Sequence, residues 1–243
     1  MTPSGGRPRV LVAIPVFNEE RTVARVVQAV RTSTPRFDLV MVNDGSSDRT
    51  EAILRDLHVT TVTHLCNLGY GRALQTAIRY ARAGGYDALI TLDADGQHRP
   101  EDIERLYTDF DAGDFDVLIG SRFVEQRRYD DVPLTRRLGM RLFSAIVGVL
   151  TGQVIYDTSS GLKIMHRRVF DALAERPFVH FHAEVLTYLI ASGYKVTERP
   201  VVVDERHFGA SMYSWLGAIE YAPKVAFLTL LGFVEAHLRK GRA

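Results

Sequence analysis

Two aspartates stand one residue apart in the segment LITLDADGQHRP, residues 89–100, directly after a short apolar run. If this run is a strand that continues to the aspartates, Asp93 and Asp95 point to the same side. Two carboxylates that close repel each other unless a positive charge lies between them. Hard divalent cations take oxygen ligands and often share them with substrate phosphates. The pattern therefore predicts a cation site at Asp93 and Asp95, with Gln97 nearby; a solvated turn with helix-capping acids is the alternative.

Polar and aromatic residues also follow the other predicted strands of the first half. Asp44, in VNDGSSDRT, follows the second strand, where its carboxylate can accept hydrogen bonds from a nucleobase or ribose. In PVFNEE, Phe17 offers a stacking surface and Glu19 an acceptor, although acidic residues here also favour a helix N-terminus. Arg72, in NLGYGRAL, suits a phosphate, but a glycine-rich loop alone is a weak signal.

Short β-rich runs alternate with helical periodicity through the first half of the chain. This alternation is typical of an α/β protein with a mostly parallel sheet that is covered by helices on both faces. In such a sheet, ligands bind beyond the carboxyl ends of the strands, which is where all four motifs fall. The predicted strands are 9–16, 37–43, 59–65, 87–93 and 115–123, and the helices between them lie near 19–32, 47–57, 70–83 and 100–112.

The second half of the chain is less regular. We expect strands in 161–166 and 194–203, helices near 167–174 and 182–192, and a last apolar helix from Trp215 to Leu238. No segment resembles a flexible linker between separate domains. The sequence thus predicts one main domain, residues 1–212, with residues 213–243 as a C-terminal apolar helix and basic tail.

Composition excludes several classes of protein. Thirty basic residues against 29 acidic ones give the 243-residue chain a net charge of +1, so no nucleic acid partner is expected. Cys66 is the single cysteine, which excludes a disulfide within the chain and a structural zinc site. A reduced, cytoplasmic compartment fits best, because the first residues lack the apolar core of a signal peptide.

Taken together, the motifs resemble a known family. In this order and spacing, VAIPVFNEE, VNDGSSDRT, NLGYGRAL, LDADGQH, GSR and DTSSGLK resemble the family 2 glycosyltransferases of the GT-A fold. The similarity is greatest to the branch of polyprenyl- and dolichyl-phosphate mannosyltransferases, and it covers roughly residues 9–212. It implies a Rossmann-like central sheet and an inverting, metal-dependent transfer of a hexose from a nucleotide-sugar, of the GDP-mannose or UDP-glucose type, to a polyprenyl phosphate.

The resemblance also assigns roles to individual positions. Met212 departs from the family, which has a lysine in this closing loop, so one phosphate contact and the identity of the donor stay open. The resemblance implies base and ribose contacts for Pro15, Phe17, Glu19, Asp44 and Ala94, Mg²⁺ or Mn²⁺ on Asp93, Asp95 and Gln97, the acceptor phosphate on Arg122, Arg136 and Arg137, and the donor phosphates on Arg206.

The nature of the acceptor decides whether a catalytic base is needed. A lipid phosphate has a second pKa of roughly 6, so it is largely dianionic at neutral pH and needs only positioning. A hydroxyl acceptor needs a base within hydrogen-bond reach; Glu184, Asp157 and His98 are candidates, and Glu184 is favoured. Both acceptors stay open, together with a nucleotide-binding module without turnover, against which the intact Asp93 and Asp95 argue.

Two apolar segments bear on the acceptor. Arg136, Arg137 and Arg141 flank the start of LFSAIVGVL, a pattern that suits the headgroup boundary of a membrane, although packing against the sheet explains it as well. The last helix is nearly long enough to span a bilayer, but Pro223 and a charge pair interrupt it. The sequence thus favours a lipid phosphate acceptor and a cytoplasmic protein at the periphery of the membrane.

Overall fold

The computed structural model describes residues 7–99, 101–125, 134–176, 178, 180–203 and 215–240, without the side chains of 134–136, 215–222 and 240. The strands of the described part are β1 Val10–Val16, β2 Asp38–Asn43, β3 Thr60–Thr63, β4 Ala88–Thr91, β5 Val117–Ser121, β6 Lys163–His166 and β7 Val196–Pro200. The α-helices are α1 Val23–Ser33, α2 Thr50–Asp56, α3 Tyr70–Ala83, α4 Glu101–Ala112, α5 Leu134–Thr151, α6 Phe170–Ala174, α7 Ala183–Ala191 and α8 Trp215–Lys240, and a 3₁₀ turn, Arg167–Val169, precedes α6.

These strands form one sheet in the order β3-β2-β1-β4-β6-β5-β7. Strand β1 is parallel to β2 and β4, β2 is parallel to β3, and β5 is parallel to β7. Strand β6 alone runs against its neighbours β4 and β5. The predicted mostly parallel α/β sheet is confirmed, with one antiparallel strand inserted at its centre.

The direction of β6 decides what lies next to β4 at the ligand edge of the sheet. Because the two strands are antiparallel, Lys163 at the start of β6 pairs with Thr91 at the end of β4. The segment DTSSGL, residues 157–162, therefore arrives at the same edge as the predicted cation site. Two parts of the chain about seventy residues apart thus meet at one place.

The core lies on both faces of the sheet, as the nearly continuous apolar runs of its strands predict. In β1, Leu11 and Ala13 face one side, Val12 and Ile14 the other, and all four are at most 1% exposed. Helices α3, α5, α6, α7 and α8 contribute to the first core, and α1 and α4 to the second. This two-sided burial holds the strand ends, and the loops that follow them, in fixed positions.

Helix α8 packs against α7 and α5. It approaches α7 closely at Gly232, where an added Cβ atom would lie 2.8 Å from the carbonyl oxygen of Glu184. Pro223 lies inside the helix without ending it. Among the helices that the structure describes, none combines the length and the apolar character that a bilayer crossing needs.

Candidate active site

The loops that follow β1 and β2 form a single unit at the carboxyl edge of the sheet. Asn18, with a left-handed φ of 55°, accepts a hydrogen bond from the Ser47 amide at 2.8 Å and donates its own amide to Ser46 at 3.0 Å. The Glu19 amide donates to the Thr50 hydroxyl at 2.9 Å. These bonds tie the two loops to each other, while the Asp48 carboxylate accepts from the Thr50 amide at 2.9 Å at the start of α2.

Pro15, Phe17 and Glu19 differ in how open they are to a ligand. Pro15 is buried in β1, beyond the last residue of β4 that pairs with this strand, so its missing amide hydrogen costs no ladder bond on that side. Phe17 is 43% exposed, and its ring is accessible for stacking. The Glu19 carboxylate accepts from the Thr22 hydroxyl at 2.6 Å, so it contributes to the start of α1.

Asp44 is bound within the protein on both carboxylate oxygens. It is 3% exposed, and Oδ1 accepts from the Leu68 amide at 2.9 Å and lies 2.7 Å from Nδ1 of His64. Oδ2 accepts from the Gly69 amide at 2.8 Å. The carboxylate predicted to bind base or ribose therefore anchors the loop before α3, and a direct nucleotide contact stays a prediction.

The aspartate pair does not lie on a strand. Strand β4 ends at Thr91, so the expectation that side-chain alternation directs both carboxylates to one side was wrong. Asp95 lies in a turn, where its Oδ1 accepts from the Gln97 amide at 3.0 Å, as the turn interpretation predicts. The side chain of Ala94 is 5% exposed and lies in the core, so this residue can meet a nucleotide only through its backbone.

Asp93 is held by two residues that the sequence analysis did not single out. Its Oδ1 accepts from the Tyr70 hydroxyl at 3.0 Å. Its Oδ2 lies against Gly161, where an added Cβ atom would be only 2.0 Å away. Thr91 fixes this approach by donating its hydroxyl to the Gly161 carbonyl at 2.8 Å. The glycine of DTSSGLK was the available signal, since a glycine permits such a close approach.

Positive charge comes from Lys163 and Arg122, both of which interact electrostatically with Asp93. Lys163 is 1% exposed, its ammonium donates to the Ser160 carbonyl, and it lies 5.3 Å from the Phe181 ring centre. Burial lowers the pKa of Lys163 to about 8, although Asp93 opposes this. This buried lysine, also missed from the sequence, offsets part of the repulsion between the two aspartates.

Arg122 and Asp157 form a buried ion pair. The guanidinium donates to both carboxylate oxygens, from Nε at 2.7 Å and from Nη2 at 2.8 Å. Burial alone raises the pKa of the Asp157 carboxyl, but Arg122 outweighs it and the pKa lies below its ordinary value. A fully buried carboxylate held ionised by an arginine is a poor base, so this pairing argues against Asp157 as the base, and that role stays a prediction. The pairing also engages the arginine predicted to bind the acceptor phosphate.

Asp93 and Asp95 both favour the charged form of His98 electrostatically, which shows that His98 lies near the two aspartates. The side chain is almost completely buried, and burial lowers its pKa below the ordinary value. Its Nδ1 atom has no hydrogen-bond partner among the described residues. At neutral pH His98 is therefore an uncharged residue with an unsatisfied ring nitrogen next to the predicted cation site.

Asp93 and Asp95 supply only part of the coordination shell of a divalent cation. No three His, Cys, Asp or Glu residues of the described part form a ready-made metal cage. Two carboxylates without a full cage fit a hard cation that keeps water ligands and takes further oxygens from substrate phosphates. Asp93 and Asp95 could hold Mg²⁺ or Mn²⁺ in that way.

A cleft of about 730 Å³ opens at the start of α3. Its other walls are helix α8 and the residues Glu175, Arg176, Phe178, His180 and Glu184. Tyr70, which donates to Asp93, lines it, and so does Arg72, whose guanidinium donates to Gln75 at 2.7 Å. The cleft is thus linked to the predicted cation site through Tyr70 and contains one predicted phosphate ligand.

Glu184, at the start of α7, also lines this cleft. It is 2% exposed, and its Oε1 accepts from the His180 amide at 3.0 Å. Its Oε2 has no hydrogen-bond partner among the described residues. Burial raises the pKa of the Glu184 carboxyl to about 7, whereas burial lowers the pKa of nearby His182 to about 3. Glu184 is therefore the one base candidate whose pKa suits proton transfer near neutral pH.

The remaining predicted residues are described only in part or not at all. Arg137 lies half-buried on α5, which also includes Arg136, whose side chain is not described. Arg206 and Met212, in the predicted closing loop, lie outside the described residues.

Comparisons with known proteins agree with this geometry. The profile described as Glycosyl transferase family 2 matches residues 11–174. The polyprenol monophosphomannose synthase of Mycolicibacterium smegmatis is 30% identical over 236 residues, covering 92% of this chain and 89% of that protein. An undecaprenyl-phosphate 4-deoxy-4-formamido-L-arabinose transferase of Sodalis glossinidius is 32% identical, covering 85% and 63%. The UDP-N-acetylglucosamine--dolichyl-phosphate N-acetylglucosaminyltransferase of Methanococcus voltae is 29% identical, covering 69% and 73%.

The fold is also shared with a solved structure. Glucosyl-3-phosphoglycerate synthase of Mycobacterium tuberculosis, crystallised with Mn²⁺, UDP-glucose and phosphoglyceric acid, superposes with a TM-score of 0.68 at 16% identity, covering 93% of this chain and 80% of that one. This likeness shows the GT-A fold. The sequence profile covers more than half of the chain, so the chain belongs to glycosyltransferase family 2.

Proposed function

We propose that this glycosyltransferase moves a hexose from a nucleotide-sugar to a polyprenyl phosphate at a membrane surface, using Mg²⁺ or Mn²⁺. The observation that best supports this proposal is that four polar residues lie together at one edge of the sheet, near a cleft: Asp93, Asp95, His98 and Arg122. The three relatives support the acceptor, because each is named for a polyprenyl or dolichyl phosphate product or substrate.

On the donor side, the proposal uses Asp93 and Asp95. A cation held by these carboxylates would act as a Lewis acid on the leaving diphosphate. Tyr70 and Gly161 keep the Asp93 carboxylate in place, and Lys163 limits its repulsion from Asp95. Phe17 supplies the accessible ring for the base, while Asp44 fixes the loop that carries Arg72 toward the phosphates. Arg206 is the further phosphate ligand that the family resemblance implies.

On the acceptor side, a phosphate oxygen is the nucleophile. It forms a bond to the anomeric carbon as the bond from that carbon to the diphosphate breaks, and the nucleoside diphosphate leaves with the electron pair. Attack from the opposite face inverts the configuration. Because the phosphate is already dianionic, no base is required. Arg122, Arg136 and Arg137 are proposed to position it, and Arg122 is itself held by Asp157.

Exposed apolar side chains on two adjacent helices support a peripheral membrane site. Basic residues flank both helices, including the exposed Arg141 on α5 and Arg239 near the end of α8. Such stripes suit the boundary between headgroups and acyl chains. At helical spacing, α5 exposes Leu138, Leu142 and Val149, and α8 exposes Phe227, Leu231, Val234 and Leu238.

A hydroxyl acceptor is the second candidate, and Glu184 is the observation that favours it. Its unsatisfied Oε2 and its pKa of about 7 suit a general base in the cleft. In that case Glu184→Gln removes proton transfer worth roughly a hundredfold or more in rate. With a lipid phosphate acceptor the same substitution does not slow the chemical step, because that step needs no proton acceptor.

The test is a donor and acceptor screen. Purified protein is incubated with labelled GDP-mannose, UDP-glucose or UDP-N-acetylglucosamine, and with undecaprenyl phosphate in detergent or a simple sugar. Label entering the organic phase, lost in excess chelator and in Asp95→Asn, is the expected result. Transfer only to the sugar, abolished in Glu184→Gln, would establish the hydroxyl reaction instead. Full activity in chelator would refute the role of the cation.

A further inference from the structure

Two buried polar atoms in the wall of the cleft lack partners among the described residues. They are Oε2 of Glu184 and Nη1 of Arg176. Glu184 is 2% exposed, and the Arg176 side chain is 9% exposed. Both residues line the cleft, and both pack against Gly232 of helix α8. Leaving a buried polar group unpaired costs free energy, and a ligand that pairs with both atoms recovers it.

The rest of each side chain is firmly held. Arg176 donates through Nε to Glu235 at 2.9 Å and stacks over the Tyr188 ring, with its central carbon 4.3 Å from the ring centre. Glu184 is fixed through Oε1 by the His180 amide. Each side chain is thus positioned by one part of its polar group and leaves another part for a ligand.

The charges around the cleft indicate what kind of ligand it takes. Arg176 and Arg239 both pair with Glu235, which offsets part of their positive charge. A second phosphate therefore does not suit this end of the cleft. A neutral group with hydroxyls does suit it, because a hydroxyl accepts from a guanidinium and donates to a carboxylate. The described lining residues include as many glutamates as arginines, although Glu175 pairs with Arg82 outside the lining: Arg72, Arg176, Arg239, Glu175, Glu184 and Glu235.

The cleft is linked to the proposed cation site through Tyr70. Tyr70 lines the cleft and donates to Asp93, one of the proposed cation ligands, and His180 lines its other wall. A diphosphate bound at Asp93 would therefore carry its hexose on the side of Tyr70 that borders the cleft. We infer that Arg176 and Glu184 recognise the transferred sugar, with one sugar hydroxyl accepting from Nη1 of Arg176 and donating to Oε2 of Glu184. This inference rests on the proposed function, since it assumes a nucleotide-sugar donor.

The test compares the nucleotide-sugar with its nucleoside diphosphate. Calorimetry with Mn²⁺ present measures the Kd of UDP-glucose, GDP-mannose, UDP and GDP for the wild type and for Glu184→Gln. Gln keeps the oxygen that accepts from His180 but presents a donor in place of Oε2. The expected result is affinity for the sugar nucleotide weakened about tenfold or more, with the affinity for the nucleoside diphosphate unchanged. Arg176→Lys, which keeps the charge without Nη1, should give the same pattern.

A matched control is Glu175→Gln at the rim of the cleft. The Glu175 carboxylate is two-thirds exposed and pairs with Arg82 at 2.6 Å, so this variant should keep the wild-type preference for the sugar nucleotide. Equal losses for both ligands, or no loss, in Glu184→Gln would overturn the inference. A change confined to kcat or to the acceptor KM would overturn it too and assign Glu184 to the acceptor. A wild type that binds nucleoside diphosphates but no sugar nucleotide would instead refute the proposed function.

Discussion

The raised pKa of Glu184 leads to a stability prediction that is independent of any substrate. Burial moves the pKa of this carboxyl from an ordinary value of 4.5 to about 7 in the folded protein. Between these values the folded state binds more protons than the unfolded state, so the free energy of unfolding falls as pH rises. Each pKa unit corresponds to about 1.4 kcal/mol, so the ionised side chain costs about 3 kcal/mol once the titration is complete.

Glu184→Gln removes this cost and keeps the oxygen that accepts from the His180 amide. We expect the variant to gain stability relative to the wild type as pH rises, by about 2 kcal/mol between pH 5 and pH 7.5. The window excludes most of the titration of Lys163, whose pKa is about 8. His182 destabilises the fold toward acid pH because its pKa is lowered to about 3, but it does so in both proteins and cancels in the difference.

Urea unfolding, followed by far-UV circular dichroism at both pH values, measures the difference. Glu175→Gln serves as the control, since the carboxylate it replaces is two-thirds exposed and its burial costs little. A stability difference between wild type and Glu184→Gln that is the same at pH 5 and pH 7.5 would show that Glu184 titrates normally. That result would also remove the argument for Glu184 as a base near neutral pH.

Two further predictions concern the carboxylates at the sheet edge. Gly161→Ala should reduce turnover by at least about tenfold, because the added Cβ atom would displace the Asp93 carboxylate. Gly148→Ala on α5, where the added Cβ atom makes only ordinary contacts, is the control and should stay near wild type. Equal activity of the two variants would contradict the placement of Asp93. Arg122→Ala should destabilise the fold by on the order of 3–5 kcal/mol, because it leaves Asp157 charged and buried. Adding Asp157→Asn should restore part of the lost stability, measured by urea unfolding. A further loss of stability in the double variant would refute that reasoning.

The sequence predicts much of this fold because its signals are local. The alternation of apolar runs and helical periodicity defines the parallel strands, and parallel strands place the ends of β1, β2 and β4 at one edge. The direction of β6 is not a local property, because the apolar pattern of GLKIMH does not distinguish a parallel strand from an antiparallel one. The positions of Gly161 and Lys163 beside Asp93 therefore could not be predicted.

The candidate active site shows the same difference between local signals, which the sequence carries, and contacts between distant residues, which it does not. Residue type and spacing identify Asp93, Asp95 and Glu184 as chemically capable, but they do not reveal which partners each carboxylate has. Asp157 is engaged by Arg122, which lies 35 residues away, and Asp44 by the loop before α3. A carboxylate that is saturated by its own protein looks the same in the sequence as one that awaits a ligand. Only the three-dimensional contacts separate the two.

The close contact at Gly232 makes the width of the cleft a property of the main chain. Helix α8 rests there on the carbonyl oxygen of Glu184, with 2.8 Å between that oxygen and the place a methyl group would occupy. A larger residue at position 232 would push α8 away from α7 and widen the cleft. The shape of the cleft therefore depends on a position that has no side chain with which to contact a ligand.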